Sequence, residues 1–510
     1  MLAQAHTFTI QGARARHVLV ELDVRSGLPS FTIVGLADAA VRESRERIRA
    51  AIRNCGYEFP ARRITANLAP GELPKAGAGL DLAIACALLA ATGQLDPDCL
   101  RSVALYGELA LDGRLRASHG TLAVAHAAKE CGLDRLALAR SSASEAELID
   151  GLDIAPLAGL ESAVRVLKGG RADEPTRPRP AMQSKPESIR SLPDLSDVRG
   201  QAHAVGALVI AAAGGHSILL SGAPGTGKTM LARRLPSILP PLTRQEAIES
   251  MLIDSATGAS VEGQLHERPF RTPHHSITAA GLLGGAGGAS LGEVVRAHRG
   301  VLFLDELSEF TRSALEALRQ PLEDREVTIS RAGSMSRHAT RFMLVAASNP
   351  CPCGYASEPG RCCCTPGELA RYARRLSGPL LERIDMQLTM TVQTAEEGPE
   401  QAGLRSSQAR EQVSSARARQ ARRLRSAGIS LNAEMGTHML REHLRLHEDG
   451  RRLIARARAA TMLSARGEHR VLLVARTIAD LDESREVRNR HVGAALALRP
   501  LIGHRGGPAR

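Results

Sequence analysis

Short apolar runs alternate with longer amphipathic stretches through most of this chain. Val18-Leu19-Val20, Phe31-Thr32-Ile33-Val34 and Val103-Ala104-Leu105-Tyr106 read as strands. Among them, Ala39–Asn54 reads as an amphipathic, arginine-rich helix, and the almost wholly apolar Leu80–Leu89 as a buried one. Further on, Ile218-Leu219-Leu220, Val301-Leu302-Phe303-Leu304 and Met343-Leu344-Val345-Ala346-Ala347 carry no polar residue and read as strands buried on both faces of a sheet. The pattern predicts an α/β protein with a helical C-terminal region. A polar, proline-rich stretch at 169–194 reads as a linker between domains. The expected division is a domain at 1–168, that linker, a domain at 195–404 and a helical domain at 405–510. No apolar run is long enough to cross a bilayer, and the N-terminus lacks a signal-peptide pattern, so a cytoplasmic location is the default expectation.

The first of the buried runs leads straight into Gly222, Ala223, Pro224, Gly225, Thr226, Gly227, Lys228 and Thr229, and then into the helical stretch Met230–Leu235. Strand, glycine-rich loop and helix in that order are the context of a P-loop. Glycines let backbone N–H groups converge on phosphate oxygens, and the helix start adds partial positive charge. ATP is therefore the expected ligand of Gly222–Thr229. Lys228 would reach its β- and γ-phosphates, and the Thr229 hydroxyl would ligate Mg²⁺.

The other buried runs each end in chemistry. Val301–Leu304 delivers Asp305 and Glu306 to its C-terminal edge, where Asp305 can hold Mg²⁺ through water and Glu306 can deprotonate the attacking water. The run from Met343 delivers Asn349, which can contact the γ-phosphate or position that water. Arg383, in Gly378–Asp385, is placed to act as an arginine finger on a neighbouring subunit's nucleotide, which predicts a ring. In the basic C-terminal region Arg466, or else Arg470, could touch the phosphates from a helical lid.

Charge sharpens the picture of partners. Residues 405–510 hold 22 basic and 10 acidic residues, while 1–404 hold 44 of each, so the whole excess of +12 lies at the C-terminal end. Arg417, Arg419, Arg422, Arg423 and Arg425 make a dense basic stretch, either a polyanion contact or a solvated helical face. With no Trp, four Tyr and seven Phe, any nucleic-acid contact would be to the backbone more than to stacked bases. Five of the nine cysteines crowd into 351–364. Cys351, Cys353, Cys362 and Cys364 form two Cys-x-Cys pairs that can supply four thiolates to a structural Zn²⁺, with Cys363 spare; free thiols are the alternative. His274 and His275 read as loop residues.

P-loop, Asp-Glu strand, Asn strand, finger arginine and helical lid follow the order of AAA+ ATPases. The segment Phe270–Gly292 and the hairpin-like stretch at 326–337 resemble pore-facing insertions of the branch that holds magnesium chelatase motors and replicative helicases, with Arg271, Arg331 and Arg337 as possible phosphate grips. At the N-terminal end, Pro74–Ala83 and Gly107–Gly113 resemble Lon-protease and ribosomal-S5-like domains, but the turn at 76–79 has no Ser nucleophile and no Lys lies near Gly120-Thr121-Leu122, so no proteolysis is expected. With Asn349-Pro350-Cys351-Pro352-Cys353-Gly354, the chain resembles the YifB/ComM family of magnesium-chelatase-like AAA+ ATPases over nearly its whole length. The resemblance implies a Lon/S5-like domain, an AAA+ P-loop domain and a helical lid. It also implies a hexameric homo-oligomer acting on single-stranded or branched DNA, with branch migration during natural transformation as the family's better-understood role. The alternative is a chelatase-type motor driving metal insertion into a porphyrin.

Overall fold

A computed structural model of the protein describes residues 2–176, 192–259, 267–285, 291–331, 334–356, 360–375, 378–391, 403–460 and 463–499. They fall into two compact units.

The first unit is built on a seven-stranded mixed sheet. Leu2–Gln11 and Arg14–Arg25 form an antiparallel hairpin; Arg63–Ala69 extends it antiparallel, and Ser30–Val34 lies parallel at the edge. On the other side Val103–Tyr106, Arg135–Ala139 and Asp153–Leu157 run parallel. The helix Asp81–Ala91 has all eleven residues buried, as its apolar sequence requires. In the turn before it, the Lys75 ammonium is buried and donates to the Pro70 carbonyl.

Two boundaries differ from the sequence expectation. Residues 243–259, expected inside 195–404, belong to the first unit. Their helix Arg244–Ala256 is opened by a Thr243/Glu246 capping box, and its C-terminal end accepts from the N–H groups of Gly120 and Leu122 through Ser255. Nothing local in a helix of mixed polarity says which sheet it will pack on. The expected linker is also partly ordered structure. Asp173 accepts from the Ala158 N–H at 2.7 Å and pairs with Arg165 at 2.5 Å, so 169–176 lie on the first unit. At the far end Asp194 caps Leu195–Asp197 and accepts from the Ser406 N–H.

The second unit holds a five-stranded parallel sheet in the order Phe270–Arg271, Val301–Leu304, Met343–Ser348, Ile218–Gly222, Met386–Met390. The continuous apolar runs follow from burial on both faces. Ile218, Leu220, Phe303 and Val345 share one apolar cluster with Leu208, Val413 and Leu473; Leu219, Leu302, Leu304 and Leu344 share another with Leu315 and Leu380. Successive strand residues point to opposite faces, so each run feeds both clusters. Burial of each large side chain contributes about 1.5–3 kcal/mol. The C-terminal region is helical as expected, with Ser406–Arg423, Glu448–Ala459, Ala465–Leu481 and Asn489–Ala497 as its longer elements.

A buried carboxylate fastens these helices to the sheet. Asp385 accepts from the Ser217 N–H at 2.9 Å and hydroxyl at 3.0 Å, and pairs with Arg470 at 3.0 Å and His216 at 3.6 Å. Burial alone would push its carboxyl up; Arg470, His216 and Ser217 outweigh that and hold it below the ordinary carboxylate range. A carboxyl that titrates below its unfolded value stabilises the fold fully above that unfolded value, and the stabilisation is lost as the pH falls from there through the lower, folded value. Asp385→Ala is expected to cost about 3–5 kcal/mol by stranding Arg470. Urea unfolding should show this loss at neutral pH, and the variant should lose less further stability in acid than the wild type does.

Candidate nucleotide-hydrolysis site

The C-terminal ends of three neighbouring strands meet at one edge of the second unit's sheet. Ser221 lies in register with Ser348, and Leu304 with Ala346, so the residues just beyond them are brought together. Gly227, at φ 87°, turns the chain into the helix Lys228–Ala232, a left-handed conformation that suits glycine. The Lys228 ammonium donates to the Gly222 carbonyl at 2.7 Å, the Ala223 carbonyl at 2.9 Å and the Asn349 side-chain oxygen at 3.2 Å. Burial lowers its pKa, and the nearby Asp305 opposes that shift. The Thr229 hydroxyl donates to the Asp305 carboxylate at 2.9 Å. Thr229 and Asp305 thus offer adjacent hard oxygen donors, the set that Mg²⁺ takes beside phosphates.

Glu306 follows at φ 51°, an uncommon conformation for a glutamate, with its N–H on the Asp305 carboxylate at 3.0 Å. Its side chain is 60% exposed and lies 3.7 Å from His275. His275, read from sequence as a loop residue beside His274, therefore belongs to the site's surroundings. Only the fold, which carries it to Glu306, could reveal this. The arrangement can hold a metal–triphosphate at Gly222–Thr229 and Asp305, with a carboxylate and an amide facing the same edge.

The two arginines stand apart from this cluster. Arg383 is 8% exposed, and its guanidinium lies on Glu323 at 2.5 and 3.1 Å and on the Pro379 carbonyl at 2.8 Å. Arg466 lies on the other oxygen of Glu323 at 2.6 Å and near Glu382 at 3.9 Å. The sequence reading has Arg466 touching the phosphates from a helical lid; in this structure its partners are these two carboxylates. Arg470, the second choice, is held by Asp385. Glu323 gathers the two arginines from 60 and 143 positions away, and no sequence signal marks it.

Other arginines proposed as phosphate grips are also internally paired. Arg271 makes a two-pronged pair with Glu293 at 2.7 and 3.0 Å. Arg417 donates to the Ala212 carbonyl, Arg419 to the Asp480 carbonyl and Glu483, and Arg423 to both oxygens of Asp480. Arg422 and Arg425 remain exposed. The Arg331 side chain lies outside the described residues. Arg337 is exposed on the hairpin of Glu326–Arg331 and Ser334–Ala339.

Beyond Asn349, the sulfurs of Cys351, Cys353, Cys362 and Cys364 all lie within 4.8 Å of one another, a group that could bind a metal. Cys363 is exposed and outside the cluster. Backbone N–H groups of Tyr355 and Cys363 hold the Cys353 thiol down to about 6.

Two substitutions separate the parts of this site. Lys228→Ala is expected to weaken nucleotide binding and abolish turnover. Glu306→Gln should bind ATP with near-native affinity and lose turnover by about 10²-fold or more, on the scale of a lost general base. Equilibrium binding of a fluorescent ATP analogue beside steady-state phosphate release distinguishes the two.

Three family models match successive stretches of the chain. Residues 194–398 match the family described as magnesium chelatase, subunit ChlI; residues 20–142 match subunit ChlI of Mg-chelatase; and residues 403–499 match the C-terminal part of that subunit. The chain is 41% identical over 511 residues to the protein YifB of Salmonella typhimurium, covering 98% of this chain and 97% of that protein. It is 39% identical over 510 residues to the competence protein ComM of Haemophilus influenzae, covering 98% of each. A magnesium-chelatase 38 kDa subunit of Acidiphilium rubrum is 26% identical over 177 residues, which are 30% of this chain and 51% of that subunit. With likeness of this extent and a P-loop, carboxylate and asparagine meeting at one sheet edge, the chain belongs to the YifB/ComM family of magnesium-chelatase-like AAA+ ATPases.

Proposed function

We propose that this protein is a ring-forming motor that hydrolyses ATP and acts on single-stranded or branched DNA, driving branch migration. Family membership implies ATP hydrolysis with Mg²⁺. In this reading Lys228 and the P-loop bind the phosphates, Thr229 and Asp305 hold Mg²⁺, Glu306 activates water, and Asn349 orients it. Arg383 and Arg466 share Glu323 and are not bonded to their own P-loop, which supports both acting on a neighbouring subunit, as a hexamer would allow.

The observation that carries the DNA part is the hairpin at 326–339. Its strands form their own two-stranded sheet and hold Arg337 and Met335 exposed, the latter at 66%. Likeness to a competence protein over 98% of each chain supports the same reading. The exposed Arg422 and Arg425 add a second basic patch. A chelatase-type motor for metal insertion into a porphyrin is the alternative, supported by the shorter likeness to chelatase subunits.

We also assign the four-cysteine group to zinc. Zn–S bonds of about 2.3 Å in a tetrahedron place sulfurs roughly 3.8 Å apart. The separations here are 3.3, 3.9 and 3.7 Å for the pairs among Cys351, Cys353 and Cys362. Elemental analysis of tag-free protein is expected to find about one zinc per chain.

DNA should raise the ATPase rate, and DNA affinity should fall steeply with salt and show little sequence preference. A labelled four-way junction should be resolved only with hydrolysable ATP, and not by Glu306→Gln. Arg383→Ala should bind ATP and lose hydrolysis, with partial recovery when mixed with Lys228→Ala at hybrid interfaces. An ATPase rate that ignores every DNA form, with no junction moved by assembled protein, would favour the chelatase-type reading.

A further inference from the structure

The cysteine group is joined to the hydrolysis site through one short helix. Pro366–Arg375 begins immediately after Cys364-Thr365, and Thr365 opens it with reciprocal bonds to Glu368 at 2.8 and 3.3 Å. A ten-residue helix of such polar sequence is marginal by itself. Only Tyr372 on it is buried. The Tyr372 hydroxyl donates to the Asn349 backbone carbonyl at 2.9 Å and accepts from the Ser308 hydroxyl at 2.8 Å. One side chain thus spans the end of the asparagine strand and the turn that follows Glu306. Arg375 adds an ion pair to Glu309 at 3.4 Å.

The space between these parts is a cavity of about 430 Å³ whose walls include Glu306, Asn349, Cys351, Arg371, Tyr372 and Arg375. The cysteine loop also touches the P-loop. At Gly354, φ 87°, a Cβ would lie 2.5 Å from the Pro224 ring, so only glycine permits that approach. The Tyr372 hydrogen bonds run to Asn349 and Ser308, on the Asn349 and Glu306 side of the site.

We propose that the four-cysteine metal site is a brace for hydrolysis. A bound zinc fixes the start of the Pro366–Arg375 helix, and Tyr372 transmits that position to Asn349 and to the turn carrying Glu306. Loss of the metal or of the Tyr372 hydroxyl then slows turnover while nucleotide binding largely persists. Tyr372 is a positioning residue, since it touches backbone and Ser308 and not the reacting atoms. The proposal rests on the zinc assignment for its metal half and on the Tyr372 bonds for its other half.

The test uses the full chain and three readouts: zinc content, binding of a fluorescent ATP analogue, and kcat with KM. Tyr372→Phe is expected to keep its zinc and bind the analogue within a few-fold of wild type, and to lose kcat by about 10- to 100-fold, the scale of a misplaced reacting group. Removing zinc with a zinc-selective chelator in excess Mg²⁺ should give the same split, and returning zinc should restore kcat. Wild-type kcat in Tyr372→Phe would overturn the brace, as would a parallel loss of nucleotide binding, which marks a merely structural helix. Full turnover in folded, zinc-free protein would overturn the metal's part. Protein that never contains metal would overturn the zinc assignment itself, and Tyr372→Phe would still decide the hydrogen-bonded half.

Discussion

The Lys228 ammonium is the group on which the site's geometry depends. It bonds to the two carbonyls that end the P-loop strand and to Asn349, at the end of the next strand. Strand order makes this possible, because Ile218–Gly222 and Met343–Ser348 are parallel neighbours in register. Val301–Leu304 flanks the asparagine strand on its other side and brings Asp305 to Thr229. A parallel sheet buried on both faces can hold such groups in place at one edge, because the strands beneath them cannot shift without exposing apolar surface.

Arginine is the chain's dominant cation, and most of its conspicuous arginines serve the fold. Arg423 and Arg476 both pair with the buried Asp480, which also accepts from Asn432. Arg417 donates two bonds to one carbonyl. A planar guanidinium suits such multidentate contacts, which an ammonium could not reproduce. The positive excess of 405–510 is therefore partly structural, and the charge left for a polyanion is smaller than the composition suggests. Arg422, Arg425 and Arg337 are the exposed remainder of the groups considered.

Glu323 gives the arginine geometry a second meaning. A carboxylate shared by Arg383 and Arg466 is held below its usual range, first by its bond to Arg383 and then by the nearby Arg466. It keeps two cations together that would otherwise repel. An arginine that is nine-tenths buried on its own chain's carboxylate must exchange that partner for a phosphate if it acts on a neighbour. The exchange replaces one charge-assisted bond by another, so it need not be costly.

Much of the site was legible in the sequence because its signals are local. Gly227 and Lys228 are adjacent, Asp305 and Asn349 each follow an uninterrupted apolar strand, and four cysteines lie within fourteen positions. The chemistry proposed for them follows from residue type and immediate neighbours, and the structure joins Lys228 to Asn349 and Thr229 to Asp305 by hydrogen bonds. The partners of long side chains were not legible. Glu323 with Arg383 and Arg466, His275 with Glu306, Tyr372 with Asn349 and Ser308, and helix Arg244–Ala256 in the first unit all depend on contacts between distant stretches. A flexible arginine or tyrosine reaches several ångströms in any direction, and a helix of mixed polarity can lie on more than one surface. Local sequence sets what such groups can bond to, and only the packed chain decides which partner is within reach.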